Sequence, residues 1–304
     1  MTVPMIIDTD PGVDDAVALM LAAASPEVQL LAVTTVFGNA GLEVTTANAL
    51  RLRTLAGLDA VPVAAGAARP LVYPPPRRTD RWHGRDGLGG HADLLPQPSG
   101  PINALGAVTL MATLLRGAVA PVTLVAIAPL TNIALLLAVH PELKPRIGRI
   151  VIMGGNLGGS PAEFNIDSDP EAARRVLVEE DVATTLVPLN VTLRATVYGA
   201  WLAELAEAGP RCATLAGIIE HCRQQRAAPM ALHDSVAVLE AAVAGTLTTT
   251  PMTLQVGCDH GRDRGAVQPG SGQETTAARA VQVACDTDLT PVNAMILHRL
   301  RSLR

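Results

Sequence analysis

Two kinds of segment alternate along this sequence, and their alternation restricts the fold more than any other feature. Short aliphatic and β-branched runs fit buried strands: Val3–Ile7, Val28–Val36, Val61–Ala64, Val122–Ala126, Arg149–Met153 and Ala183–Val187. Between them lie segments with helical spacing of apolar residues: Asp14–Ala24, Leu42–Ala56, Asn103–Gly117, Leu130–Val139 and Pro170–Glu179. Strands separated in this way join through right-handed crossovers into a mostly parallel sheet with helices on both faces. The expected class is therefore α/β, an open, Rossmann-like, mostly parallel central sheet flanked by helices. Strands covered on both faces must be apolar throughout, and a chain of 304 residues that is 49% hydrophobic supplies such strands. Only 17% of residues are charged, which excludes a disordered chain.

The remaining segments decorate that core. Val197–Arg226 reads as helices, Thr253–Val256 and Ala280–Cys285 as strands, and Pro291–Leu303 as a terminal helix. This C-terminal helical elaboration is expected near the active site. No internal repeat or low-complexity linker interrupts the chain, so one domain over residues 1–304 is expected. Arg69–Gly100 is rich in Pro, Gly, Arg and His. Connections of that length are usually functional, and Tyr73–Arg81 is a candidate lid.

Composition removes several function classes. The formal charge is −5, so the basic face that nucleic-acid binding needs is missing. Lys144 is the only lysine, which argues against covalent lysine chemistry. Cys212, Cys222, Cys258 and Cys285 are scattered without a C-x-x-C pair, so no zinc ribbon or redox motif is expected and a reducing cytoplasm fits. The first ten residues lack a basic stretch and reach acidic residues quickly, so no signal peptide is expected. Arg116, Pro121 and Pro129 break the apolar stretch Ala104–Leu137, so no membrane span is expected. Aromatic residues make up 2%. A stacking site can draw only on Phe37, Tyr73, Trp82, Phe164, Tyr198 and Trp201.

The most informative segment is IIDTDPGVDDAVAL. Asp8 and Asp10 fall at the carboxyl end of the first strand, Pro11-Gly12 makes the turn, and Asp14 and Asp15 open the next helix. In open α/β sheets the ligand crevice lies at that end of the strands. Crowded carboxylates repel unless they are protonated or paired, and no Lys or Arg stands nearby in sequence. A divalent cation would neutralise them, and all-oxygen donors indicate Ca2+ or Mg2+ rather than zinc. The plainer reading is that Asp14 and Asp15 merely favour a helix N-terminus. Asp8-Thr9-Asp10 also resembles the start of a haloacid-dehalogenase-type phosphatase with an aspartyl nucleophile. Pro11-Gly12 and the isolated Lys144 do not fit that pattern.

Further along, Val36-Phe37-Gly38-Asn39, then His83-Gly84-Arg85-Asp86-Gly87-Leu88-Gly89, and Ala128-Pro129-Leu130-Thr131-Asn132 follow in order. Met153-Gly154-Gly155, Ala162-Glu163-Phe164-Asn165, Asp169-Pro170-Glu171-Ala172 and Leu232-His233-Asp234 complete the series. With the acidic segment, these elements resemble the nucleoside hydrolases, the inosine–uridine-preferring N-ribohydrolase family, over nearly the whole chain. The resemblance implies Ca2+ held by the side chains of Asp10, Asp15 and Asp234 and by the backbone carbonyl of Ile127. It implies Asp10 as general base on a calcium-bound water. Asp14, Asn39, Glu163 and Asn165 would hold the ribose hydroxyls, and Asn156, in a loop that departs from the family's, is a candidate for a further ribose contact. His83 and Phe164 would flank the base, and His233 would protonate it as it leaves. The implied substrate is a ribonucleoside, cleaved to ribose and a purine or pyrimidine base. Relatives assemble as homodimers or homotetramers.

Chemistry supports these roles independently of the resemblance. Cleavage of an N-glycosidic bond passes through an oxocarbenium-like state, which carboxylates stabilise. A hard cation can chelate vicinal hydroxyls and acidify water. A leaving base needs a proton near neutrality, which His supplies. Each residue also has a bland reading: Asn39 as a turn former, His83 as a solvated loop residue, Phe164 as core, and His233-Asp234 as a helix cap. Two departures from the family pattern stand out. The loop Asn156–Pro161 is one residue short, and Arg223–Ala231 has no aromatic where many relatives carry Tyr. They keep open a non-catalytic or altered-specificity paralogue that binds a nucleoside or another sugar.

Overall fold

A computed structural model describes residues 2–73, 83–158, 162–226, 229–270 and 279–303. Residues 74–81 of the candidate lid, Trp82, and residues 159–161 of the short loop lie outside them. The strands are β1 (Val3–Thr9), β2 (Val28–Thr35), β3 (Val63–Ala65), β4 (Val122–Ala126), β5 (Ile147–Met153), β6 (Thr184–Val187), β7 (Thr196–Val197), β8 (Met230–Ala231), β9 (Thr249–Met252), β10 (Leu254–Val256), β11 (Val267–Pro269) and β12 (Val281–Ala284). The helices are α1 (Val13–Ala24), α2 (Leu42–Ala56), α3 (Ala107–Gly117), α4 (Thr131–Val139), α5 (Phe164–Ser168), α6 (Pro170–Arg174), α7 (Leu189–Thr192), α8 (Gly199–Glu207), α9 (Pro210–Arg226), α10 (His233–Ala242) and α11 (Thr290–Leu300).

Eight strands form the main sheet in the order β3-β2-β1-β4-β5-β6-β12-β9. Every pairing in it is parallel except that of β12 with β9. The expected large, mostly parallel sheet flanked by helices is therefore present. Alternate residues of each strand feed opposite faces, as the two-residue period requires. Met5, Ile7, Val125, Val151 and Met153 join one apolar layer, with residues of α1, α2, α9, α10 and α11. Ile6, Leu124, Ala126, Ile150 and Ile152 join the other, with residues of α3, α4 and α6. Each fully buried Val, Ile or Leu contributes about 1.5–3 kcal/mol.

Helix α1 matters most for the site. All its residues except Ala23 are buried, as expected for a helix that is apolar on every side. It packs between the sheet, α2 and α10, so the two aspartates at its start are carried into the interior. Helix α2 ends at Gly57, whose φ of 72° places it in the left-handed region. Glycine adopts that conformation without steric cost.

Several elements differ from expectation: α5, α7, α10, β7, β8 and β11 were not expected, Val197 lies in β7 rather than in a helix, and three further differences have a local cause. Pro170–Glu179 is not one α-helix, because Arg175–Glu179 widens into a π-turn. Glu180 N–H donates to Arg175 O at 3.0 Å, while its carboxylate is buried between Arg175 at 2.6 Å and Lys144 at 2.5 Å. Helix α3 starts at Ala107, not Asn103, because Asn103 Oδ1 accepts Leu105 N–H at 2.9 Å and forms a turn there. Strand β9 carries Pro251 and was not expected; it is the last strand of the sheet, where a missing N–H is tolerated. No helix among the described residues is long and apolar enough to cross a membrane.

Candidate active site

Strand order reverses between β1 and β4, and in such a sheet the ligand crevice opens at the carboxyl ends of those two strands. Asp8, Thr9 and Asp10 stand at the end of β1, and Ile127 directly follows β4, its N–H bonded to Asp8 O at 2.9 Å. Asp8 is turned into the protein. Its Oδ1 accepts from Thr34 Oγ1 at 2.5 Å and Asn132 Nδ2 at 2.8 Å, and its Oδ2 has no hydrogen-bond partner. Burial pushes its carboxyl up to about 7, against the pull of those two donors.

Asp10, Asp14, Asp15 and Asp234 come together in the crevice, all buried. One carboxylate oxygen from each of Asp14, Asp15 and Asp234 lies within 4.8 Å of the others, a group that could hold a metal ion. Asp10 stands beside that group: the charges of Asp15 and Asp14 act on it, and its own charge acts on Asp234. Asp10 Oδ2 accepts Asn39 N–H at 2.6 Å, while Asp10 Oδ1 and Asp14 Oδ1 lack hydrogen-bond partners. Asp15 accepts from Thr9 Oγ1 at 2.5 Å, Gly12 N–H at 2.8 Å and Asn39 Nδ2 at 3.1 Å. Asp15 thus also caps α1, as the plainer reading expects. Asn39 likewise both makes a turn and bridges Asp10 to Asp15.

Burial, and then mutual repulsion, raises the carboxyls of Asp10, Asp15 and Asp234. Asp15 is pushed up to about 7, and Asp10 and Asp234 well above the ordinary carboxylate range. Two ionised groups within 4.8 Å repel by about 3 kcal/mol or more at an effective dielectric constant of about 20. A bound divalent cation reverses the sign of that term. Oxygen-only donors and two orphaned carboxylate oxygens fit a hard cation such as Ca2+ or Mg2+.

His83 approaches from the long connection. It is buried rather than solvated, and its Nδ1 accepts Val13 N–H at 3.2 Å. Its Nε2 lies 3.8 Å from Asp14 Oδ1. The loop behind it is built on Asp86, whose carboxylate accepts Leu88, Gly90 and Ala92 N–H. Asn48 of α2 ties that loop to the acidic turn, donating to Asp86 O at 2.8 Å and Pro11 O at 3.1 Å.

Glu163 and Asn165 arrive from the end of β5 and the start of α5. Glu163 caps α5: its carboxylate accepts Asn165, Gly155 and Ile166 N–H at 2.8, 2.9 and 3.1 Å. Burial raises its carboxyl nonetheless. Asn165 Nδ2 donates to Met153 O at 3.2 Å. Phe164 is half-buried at the first position of α5, not core. Asn156 is half-buried, and its Oδ1 accepts Gly158 N–H at 3.1 Å. His233 and Asp234 open α10 with Leu232, not His233, as the cap. Among the described rings, Phe37 is buried beside Val36 and Ala128, Tyr73 packs edge-on against His260, Tyr198 is exposed, and Trp201 bonds to Asn293 O. Among the described rings, Phe164 alone sits on the element that also carries Asn165.

Sequence reasoning did not single out Thr9, Thr34, Asn48 or Thr192 at the site. Asn132 and Asp86 were quoted only inside motifs, and the motifs were the available signal for them.

Comparison with known proteins shows the family and the fold. Residues 5–293 match the family model described as inosine-uridine preferring nucleoside hydrolase. The chain belongs to that family. Pyrimidine-specific ribonucleoside hydrolase RihA of Salmonella paratyphi A is 46% identical over 207 residues, covering 66% of this chain and 64% of that protein. The RihA of Enterobacter sp. is 44% identical over 225 residues, covering 72% and 71%. The chain thus spans about two thirds of the length of these relatives. A purine-preferring ribonucleoside hydrolase from Gardnerella vaginalis superposes with a TM-score of 0.90 at 27% identity, over 99% and 98% of the two chains. A plant nucleoside hydrolase gives 0.89 at 28%, over 99% of each. This is a family of enzymes that hydrolyse nucleosides.

Proposed function

We propose that this chain is a Ca2+-dependent ribonucleoside N-glycosidase, acting as a single nucleoside hydrolase-like domain. The observation that carries the reading is the buried acidic group at the sheet's switch point, with carboxylate oxygens left unbonded. Asp10, Asp15 and Asp234 would hold the cation with the carbonyl of Ile127, and Asp14 stands in the same group. When bound, the cation supplies Lewis acidity toward water and chelation of the ribose diol.

The chain's own residues do the rest. Asp10 takes the proton of the attacking water, with Oδ1 free of other hydrogen bonds. Asp14, Asn39, Asn156, Glu163 and Asn165 position the ribose hydroxyls, so a substrate lacking them leaves buried polar groups unpaired. The surrounding carboxylates stabilise positive charge on the sugar. His83 and Phe164 flank the base, and His233 protonates it.

Pyrimidine ribonucleosides, named in the relatives, head the substrate panel; purine ribonucleosides follow. Ribose release detected as reducing sugar, with and without chelator, tests the reading. Asp10→Ala should abolish release, and full activity in that variant overturns the mechanism. The scarcity of rings beside the ribose residues, among the described residues, favours altered base specificity as the second reading. Phosphohydrolysis finds no support: Lys144 precedes β5, at the amino end of the parallel strands and so at the end opposite Asp8 and Asp10, and is paired with Glu180. Assembly is proposed to be a homodimer or homotetramer, read by light scattering. The four cysteines, scattered in the sequence, fit a cytoplasmic location.

A further inference from the structure

The ring of His233 is held from behind by a threonine far away in sequence. Thr192 is the last residue of α7, which follows β6, and it is fully buried. Its Oγ1 lies 2.8 Å from His233 Nδ1. The same hydroxyl points at Leu189 O, 3.4 Å away. With its proton on that carbonyl, Oγ1 keeps lone pairs for an Nδ1–H of His233.

Backbone pairing sets this distance. Strands β7 and β8 pair antiparallel, Thr196 opposite Ala231 and Val197 opposite Met230. Leu232 N–H then donates to Ala195 O at 2.9 Å. Thr192 and His233 lie just beyond that ribbon, on opposite sides of it in sequence. The ribbon therefore fixes the approach of two side chains 41 residues apart.

We propose that Thr192 is a positioning residue for leaving-group protonation, holding His233 Nδ1–H so that Nε2 presents the proton to the departing base. The inference rests on the reading of His233 as the proton donor. As the C1′–N bond breaks, its electron pair stays on the base nitrogen, which takes the Nε2 proton. Water adds to the sugar carbon and gives its proton to Asp10. Nδ1–H stays on Thr192 Oγ1 throughout, so the ring turns over without rotating. A hydroxyl at this place also carries no charge, so it steers the ring without stabilising the imidazolium as a carboxylate would.

The test uses the metal-loaded enzyme and two substrates. A ribonucleoside needs its base protonated. A nitrophenyl β-riboside expels a weakly basic phenolate that leaves as the anion. His233→Ala, Thr192→Val and Thr192→Ser are compared on both. His233→Ala and Thr192→Val should each lose about a hundredfold on the ribonucleoside, the lower end of what general acid catalysis contributes, and keep nitrophenyl riboside turnover. Thr192→Ser, which retains the hydroxyl, should restore ribonucleoside turnover. Nitrophenyl riboside turnover also reports that each variant is folded. Equal losses on both substrates in Thr192→Val overturn the proposal in favour of a structural role. A selective His233→Ala beside an unaffected Thr192→Val also overturns it, while leaving His233 as the acid. An unselective His233→Ala removes the reading of His233 and the proposal with it.

Discussion

Gly38→Ala is the sharpest perturbation of the acidic crevice. A Cβ built on Gly38 would lie 1.9 Å from Asp10 Oδ2 and 2.7 Å from Asp10 Cγ. Heavy atoms at rest stay about 3.5 Å apart, so the carboxylate or the turn must move by about 1.5 Å. The bond from Asn39 N–H to Asp10 Oδ2, 2.6 Å long, cannot survive that shift. Hydrogen bonds to charged groups contribute about 1.5–3 kcal/mol. Misplacing a reacting group by about 1 Å costs about a hundredfold in rate. The expected result is a loss of kcat/KM of about a hundredfold or more on a ribonucleoside, with weakened Ca2+ binding by calorimetry. The backbone of Gly38 lies outside the left-handed region. Alanine therefore brings no backbone strain there and even stiffens the unfolded chain, worth about 0.4–1 kcal/mol. Gly41→Ala is the control, because nothing lies within 4 Å of its added methyl group. Gly38→Ala with kcat/KM within about threefold of wild type would refute the argument, because about 0.7 kcal/mol is too little for the displacement described.

Three further predictions follow from the same geometry. In chelator, the native protein binds more protons than the unfolded chain between about pH 4 and 7, because burial lifts Asp8 and Asp15 to about 7. Melting temperature should fall as pH rises through that window, and added Ca2+ should raise it more at pH 7 than at pH 5; equal calcium shifts at both would contradict the cause. Asn48→Ala cuts the tie between the His83 loop and Pro11 and should raise KM. In a His83→Ala background the same change should add little; full additivity would place Asn48 outside the site. Glu163→Gln turns one acceptor of three backbone N–H groups into a donor, costing about 1–3 kcal/mol. That is several degrees of melting temperature for a chain of this size, visible by calorimetry alongside a higher KM.

Local pattern made much of the fold legible. Val122–Ala126 and Leu42–Ala56 occupy the same bounds in the structure as in the sequence reading, because a period of two or of 3.6 is a property of neighbouring residues. The acidic segment was legible for a similar reason: four carboxylates on one turn cannot be buried without a counter-charge. The π-turn before Glu180 was not legible, since it depends on Lys144 arriving from another element. Strand β9 was hidden by Pro251, which only an edge position excuses.

The sequence by itself determined an aliphatic parallel sheet, an acidic rim at the end of its first strand, and the set of residue types a sugar and a leaving base require. Tertiary structure decided which of these residues meet. Asp234 joins Asp14 and Asp15 from more than two hundred positions away, His83 lands on the first amide of α1, and Asn132 reaches Asp8 across 124 residues. Thr192 and Asn48 are ordinary polar residues in their local context. Their contacts with His233, Pro11 and Asp86 exist only because strand order and a two-residue ribbon bring distant segments within hydrogen-bond reach. A hydrogen bond acts over about 3 Å of space, and no periodicity along the chain encodes that distance.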